Sequence, residues 1–352
     1  MAQTAPAKKM LIMNILDILK RYTDEEHKLS QKQIMDILWS DYDMAADRKT
    51  VARNLSNLMA AGYPIECRDD VARTYINKQG EKETSYILSD FYLERDFTDA
   101  ELRLLIDSLL FSKHIPYSQC KELVEKLEGL SNKYFSAHVK HVHTMTGITS
   151  PNNQLFWTIE VLDEAIEKGL QVAFNYNTYQ TDKKMHPKEN SDGSVREFVV
   201  NPYQMAATNG RYYLICNYDG KPNLANCRLD RITNIRLLDT PIKPKEQVQG
   251  GKQFSLPKHM AEHLYMFSGE SIPVTFRMKK TIMNDVIDWF GTDIIFMDET
   301  EDEVTARVTV NWSAMRYWAQ QYCRFVRILT PTDLAETVKN DLTDALKVYQ
   351  EM

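Results

Sequence analysis

Apolar positions along the first ninety residues recur with a helical period three times and then with a strand period. Met10, Ile12, Met13, Leu16 and Leu19 predict a first helix over 8–22. Ser30 and Gln33 form a capping-box pattern ahead of Ile34, Ile37 and Leu38, which predicts a second helix. After a polar connection over 41–46, the stretch DRKTVARNLSNLMAAG places Val51, Leu55, Leu58 and Met59 on one face, and Gly62 ends the helix at its C′ position. Two short apolar segments, 65–68 and 85–88, then flank a polar stretch and predict a β-hairpin with a loose tip. Three helices followed by a hairpin is the pattern of a winged helix-turn-helix.

The remainder changes character twice. Thr98 and Glu101 form another capping box, a further helix is expected over 118–130, and 131–151 reads as a linker. A short helix over 155–165 precedes a strand-rich region. There Leu170, Val172, Phe174 and Tyr176 alternate with polar or small residues, and Asn209-Gly210 and Asp219-Gly220 mark hairpin turns. Short strands joined by turns predict a small, strongly bent antiparallel sheet or barrel. A Pro/Lys/Gly-rich segment over 241–252 marks a boundary. Beyond it the order βαββαβ with a final helix from Thr332 predicts a small α+β sheet domain. The expected fold class is therefore α+β multidomain. It comprises a winged helix-turn-helix over 1–92, a helical connector and linker over 93–150, a small β-barrel over 151–242 and a C-terminal α+β sheet domain over 253–352.

Composition narrows the function classes. The 352 residues are 43% apolar and 26% charged with net charge -6, so any nucleic-acid contact must come from a local patch. Five dispersed cysteines contain no CxxC pair, which excludes a zinc ribbon or redox dithiol motif and suits a reducing cytosol. Asn14 and Asp17 interrupt the apolar N-terminus, and no apolar run has membrane length, so a cytoplasmic protein is expected. No P-loop, GxSxG or HExxH motif is present, and no enzyme activity or cofactor is expected. His138, His141 and His143 fit no zinc spacing and read as a solvated linker. The acidic run DETEDE (298–303) reads as a hairpin tip, and Trp312, Tyr317, Trp318 and Tyr322 as packed core or a dimer seam.

The third helix carries the first candidate chemistry. Arg48, Lys49, Thr50, Arg53, Asn54 and Asn57 lie largely off its apolar face, and these side-chain types bond phosphates and base edges in a major groove. The hairpin adds Arg73, beside Arg68 and Lys78, for a flanking phosphate or the minor groove. The competing reading is a solvated helix face used for protein contacts, since 1–90 is close to neutral.

The stretch DRKTVARNLSNLMAAGYPIE resembles the recognition helix and wing of WYL-domain transcription regulators, which order a winged helix, a WYL domain and a C-terminal extension. GRYYLICN is similar to the signature that names that family, with Tyr212 where Trp is usual, and NPYQM and CRLDRI resemble its flanking motifs. The resemblance covers almost the whole chain. It implies that 151–242 forms an Sm/SH3-like barrel whose surface senses a nucleotide or oligonucleotide effector. Carried onto matching positions, it implicates Arg196, Asn201, Tyr203, Arg211, Tyr212, Tyr213, Arg228 and Arg231.

Strand alternation separates Arg211, Tyr213 and Ile215 from Tyr212, Leu214 and Cys216 without saying which tyrosine meets a ligand. Arg228 and Arg231 converge only if the strand ends or bulges near Asp230. Guanidinium groups beside an aromatic face suit a planar base linked to a phosphate. The expected function is a sequence-specific transcription regulator, by default a repressor, acting as a homodimer on a double-stranded operator. The alternative is a nucleic-acid-binding accessory or sensor of a bacterial defence system with no promoter target.

Overall fold

The computed structural model describes residues 8–76, 79, 82–135, 150–252 and 254–351. The protein is a mixed α/β chain of helices and several antiparallel sheets, divided into two compact units. The first comprises Met1–Ser112 and Tyr117–Ile148; the second comprises Lys113–Pro116 and Thr149–Met352. His138, His141 and His143 lie outside the described residues.

In the first unit, α1 (Leu11–Tyr22), α2 (Gln31–Tyr42) and α3 (Arg48–Ala60) bury Ile15, Ile18, Leu19, Ile34, Leu38, Val51 and Leu55 against one another. The helix starts follow from side-chain caps. Ser30 and Gln33 form a reciprocal capping box on α2, and Asp47 accepts the Thr50 N–H at 2.8 Å to open α3. The strands β1 (Ile65–Ile76) and β2 (Lys82–Leu93) pair antiparallel with bulges between Glu66 and Val71. Both run well beyond the two short apolar segments of the sequence pattern, because ladder hydrogen bonds carry polar residues into the strands.

Thr23 ties the unit together. Its hydroxyl donates to the Leu19 carbonyl and accepts the Leu93 N–H, while its carbonyl accepts from Arg95 and from Asn132. The helices α4 (Asp99–Leu110) and α5 (Tyr117–Glu128) share a small core of Leu102 and Ile106 with Phe135. Within the expected linker over 131–151, Asn132 and Phe135 are buried at one end and Ser150 at the other.

In the second unit, α6 (Leu155–Lys168) packs on a six-stranded antiparallel sheet. Its strands are β3 (Leu170–Tyr179), β4 (Met185–Pro187), β5 (Glu197–Thr208), β6 (Arg211–Tyr218), β7 (Leu224–Arg228) and β8 (Ile232–Pro241), in the order β4-β3-β5-β6-β7 with β8 on β3. Asn209 (φ 51°) and Gly210 (φ 67°) both occupy the left-handed region, as the two-residue turn between β5 and β6 requires. The 241–252 segment is packed: Val248 is buried, and a side chain on Gly251 would meet the Lys245 carbonyl. A short helix, α7 (Leu256–Glu262), follows, unforeseen in the sequence pattern because seven residues hold too few apolar repeats.

The C-terminal sheet takes the order β10-β11-β9-β12, from β9 (Ser271–Lys279), β10 (Ile295–Met297), β11 (Glu303–Asn311) and β12 (Val326–Thr330). With α8 (Met283–Phe290), α9 (Trp312–Gln321) and α10 (Thr332–Gln350) it encloses Val274, Phe276, Val286, Val308 and Trp318. Trp318 is fully buried, edge-on to Phe290 at 4.8 Å, and its indole N–H has no hydrogen-bond partner. Tyr317, the residue immediately before it, is exposed.

Trp318→Ala is expected to cost about 3–5 kcal/mol through the cavity it leaves. Trp318→Phe is expected to cost less than half of that, because it also removes an unpaired buried donor. Denaturant midpoints of the two variants against the parent protein measure the difference.

Candidate functional site

Two surfaces carry the residues that the sequence singles out, one in each unit. In the first unit, α3 is anchored by its apolar face, and its first turn and a half forms the wall of a shallow cavity of about 470 Å³ lined by Asp47, Arg48, Lys49, Thr50 and Arg53. Lys49, Arg53 and Asn57 are exposed, and among the described residues Lys49 and Arg53 make no ion pair. Arg48 is partly committed, since its Nε donates to Gln31 at 2.8 Å. Thr50 bonds Asp47, and the Asn54 amide donates to the Thr50 carbonyl at 2.8 Å, so both have local partners. The Asp47 carboxylate is held below its ordinary range by the Thr50 N–H and stands beside the cationic groups. Arg73 lies on β1 opposite Ser85, and its side chain lies outside the described residues.

In the second unit, Asp230 organises the arginines. β7 ends at Arg228 and a single 3-10 turn, Leu229–Arg231, follows, which breaks the strand alternation. Asp230 is 1% exposed and accepts from Arg228 Nε at 3.0 Å, Arg228 Nη2 at 2.7 Å and Arg211 Nη1 at 3.3 Å. Its main-chain carbonyl accepts from the buried Ser150 and Asn152 side chains. Burial works to lower the Arg228 guanidinium, and the hydrogen bonds and charge of Asp230 override it, so the group is raised. Arg211 is lowered, first by burial and then by the neighbouring Arg228 charge. Arg211 also donates to the Lys113 carbonyl at 3.0 Å. Arg231 Nε is buried with no hydrogen-bond partner.

The register resolves the two tyrosines. Tyr213 stands opposite Arg228, so it shares the arginine face, and burial pushes its phenol up while Arg228 and Arg211 pull it down. Tyr212 points to the other face, with its ring 5.7 Å from His114 and the charge of Asp163, on α6, beside it. Arg196 lies over the Phe198 ring at 4.7 Å, and Phe198 meets Tyr176 edge-on at 6.3 Å. The Tyr176 hydroxyl accepts the Arg228 N–H at 3.2 Å, and its phenol is pushed up to about 12 by burial. Lys188 Nζ lies 5.7 Å from the same ring.

The geometry thus brings together Arg211, Tyr213, Arg228 and Arg231, with Arg196 on the adjoining aromatic strip. It places Asn201 and Tyr203 elsewhere. Asn201 is fully buried in an amide network with Gln171, Asn217 and the Lys243 N–H, and the Tyr203 hydroxyl donates to the Lys243 carbonyl at 2.8 Å. Sequence reasoning missed Asp230, Tyr176 and Lys188 as members of this surface. Asp230 had a signal, because a carboxylate between two arginines at a strand end has partners within reach on both sides.

The antiparallel sheet thus presents a carboxylate-braced arginine cluster beside tyrosines, a surface with the charge and hydrogen-bond donors to meet an anionic group. Residues 158–237 match the WYL domain, which identifies that part of the chain. Among solved structures it is similar to proteasome accessory factor B/C (PafBC) of Arthrobacter aurescens, at 15% identity and TM-score 0.27. That match covers 99% of this chain and 51% of that one, so the chain spans about half the length of that relative. It is also similar to a structure described as a CRISPR Cas-related protein, at 14% identity and TM-score 0.37, covering 100% of this chain and 88% of that one. No curated protein matches. Among the described residues no helix is long and apolar enough to cross a membrane, and no group of His, Cys, Asp and Glu could hold a metal ion.

Asp230→Asn leaves Arg228 and Arg211 without their buried counter-charge. It is expected to destabilise the second unit by about 3–5 kcal/mol, with part of the loss recovered in phosphate buffer. Thermal melts of the variant in chloride and in phosphate at equal ionic strength test this.

Proposed function

We propose that the protein is a sequence-specific DNA-binding transcription regulator whose first ninety residues form a winged helix-turn-helix and whose WYL domain, an Sm-like barrel, senses an anionic effector. The observation that carries the reading is the exposed, unpaired cationic face of α3. Lys49 and Arg53 stand clear of the core on a helix whose opposite face is fully packed. Such a helix, placed across a three-helix core from a hairpin, has the form of an element that enters a major groove. In this reading Arg53 and Asn57 reach base edges, and Lys49 and Arg48 bind phosphates. The near-neutral balance of this segment puts the burden on these few side chains, so binding is strongly salt dependent.

The WYL surface supplies the second half of the reading. Arg228, Arg211 and Arg231 beside Tyr213 suit a phosphate attached to a planar base. The protein acts by binding, with no catalytic step, and as a homodimer reading two half-sites; repression is the sign we assign.

Arg53→Ala is expected to weaken binding to a selected promoter fragment by about 1–3 kcal/mol and to reduce its salt dependence. Arg228→Ala is expected to keep operator affinity and lose the response to effector. Selection of genomic fragments at a fixed salt concentration, followed by mobility shifts with both variants, tests the two halves separately. Selection with no sequence enrichment would instead favour an accessory nucleic-acid-binding role without a promoter target, and an Arg53→Ala variant that binds like the parent would remove α3 from the interface.

A further inference from the structure

A cleft of about 800 Å³ opens in the second unit between the β6–β7 turn, the 243–259 segment, α7 and the loop leading into β9. Its volume is that of a small-molecule site. It shares no residue with the arginine cluster.

The charges lining the cleft balance. Lys243, Lys252 and Lys258 face Glu246, Glu262 and Glu270. Glu262 lies 3.8 Å from Lys258, and Glu270 accepts from the Gln249 amide at 2.8 Å. Among the described residues Lys243, Lys252 and Glu246 form no ion pair, which leaves two cations and one carboxylate uncommitted.

The wall between them is aromatic. Phe254 is tilted against His259 at 5.2 Å, and His259 stacks on His263 at 3.8 Å. The protonation of His259 follows from its neighbours. The Asn226 amide nitrogen donates to the Met266 carbonyl, so its oxygen is the atom that meets His259 Nε2 at 3.0 Å. Nε2 therefore carries the proton and Nδ1 keeps a lone pair. Burial and the adjacent His263 push the imidazole down to about 4, so it stays neutral at physiological pH. In the same wall the Ser271 hydroxyl is buried without a partner. The cleft thus holds cations, an uncommitted carboxylate and an imidazole acceptor around an aromatic edge.

A net-neutral lining with separated charges disfavours both a polyanion and a purely apolar ligand. We propose that this cleft binds a small heteroaromatic ligand carrying a single anionic group and several hydrogen-bond donors, of the chemical type of a nucleoside 5′-monophosphate. The uncommitted Lys252 and Lys258, released from its 3.8 Å contact with Glu262, take the anionic group, Glu246 accepts from sugar hydroxyls, and the base lies along Phe254 with His259 Nδ1 on its polar edge.

Calorimetric titration of the full chain with AMP, GMP, CMP and UMP, and with adenosine and inorganic phosphate, tests the proposal. At least one monophosphate is expected to bind, with the nucleoside and phosphate alone each weaker by about tenfold or more. Lys252→Glu with Lys258→Glu, at exposed positions that leave the core intact, is expected to weaken that binding by about tenfold or more, and Phe254→Leu to weaken it as well. Arg236→Ala, which removes an exposed charge outside both the cleft and the arginine cluster, is expected to leave it unchanged. The proposal is overturned if none of the four monophosphates binds, if binding survives the lysine reversals, or if Arg228→Ala abolishes it. That last result would move the ligand to the arginine cluster.

Discussion

The buried Asp230 carboxylate is the constraint on which the WYL surface depends. Two guanidinium groups cannot be drawn together in a half-buried setting unless a counter-charge is already there. Asp230 provides it, and its own position is fixed because its backbone carbonyl receives the Ser150 and Asn152 side chains. The 3-10 turn over Leu229–Arg231 is what lets one carboxylate reach Arg228 on its own strand and Arg211 on the next. Arg228 and Arg211 are thus ordered by the protein's own contacts.

Much of the architecture could be read from periodicity and caps. Ser30 and Gln33, Thr98 and Glu101, and the Asn209-Gly210 turn each encode a local geometry in one or two residues, and each is realised. The order of strands and helices after Ser271 was legible for the same reason. What escaped is non-local. The full length of β1 and β2 depends on ladder pairing between polar residues, which has no hydrophobic period. Asn132 and Phe135 look like linker residues until Thr23 and the α4–α5 core are seen to receive them.

The candidate surface was legible in type and less so in membership. Arg211, Tyr213, Arg228 and Arg231 came together because the strand ended where a turn was needed. Asn201 and Tyr203 read the same in sequence whether their polar atoms face a ligand or their own chain. In the folded protein those atoms are satisfied internally, by Gln171, Asn217 and the Lys243 main chain. The 800 Å³ cleft had no sequence signal, since its walls come from turns and short segments spread from Pro222 to Ser271.

Leu224 and Arg228 are the two ends of β7, the first in the wall of the cleft and the second in the arginine cluster. An extended strand of that length is a stiff rod of about 13 Å between the two positions, clamped along its whole run to β6. The two places therefore share one short strand, so the backbone that shapes the wall of the cleft also sets the position from which Arg228 extends.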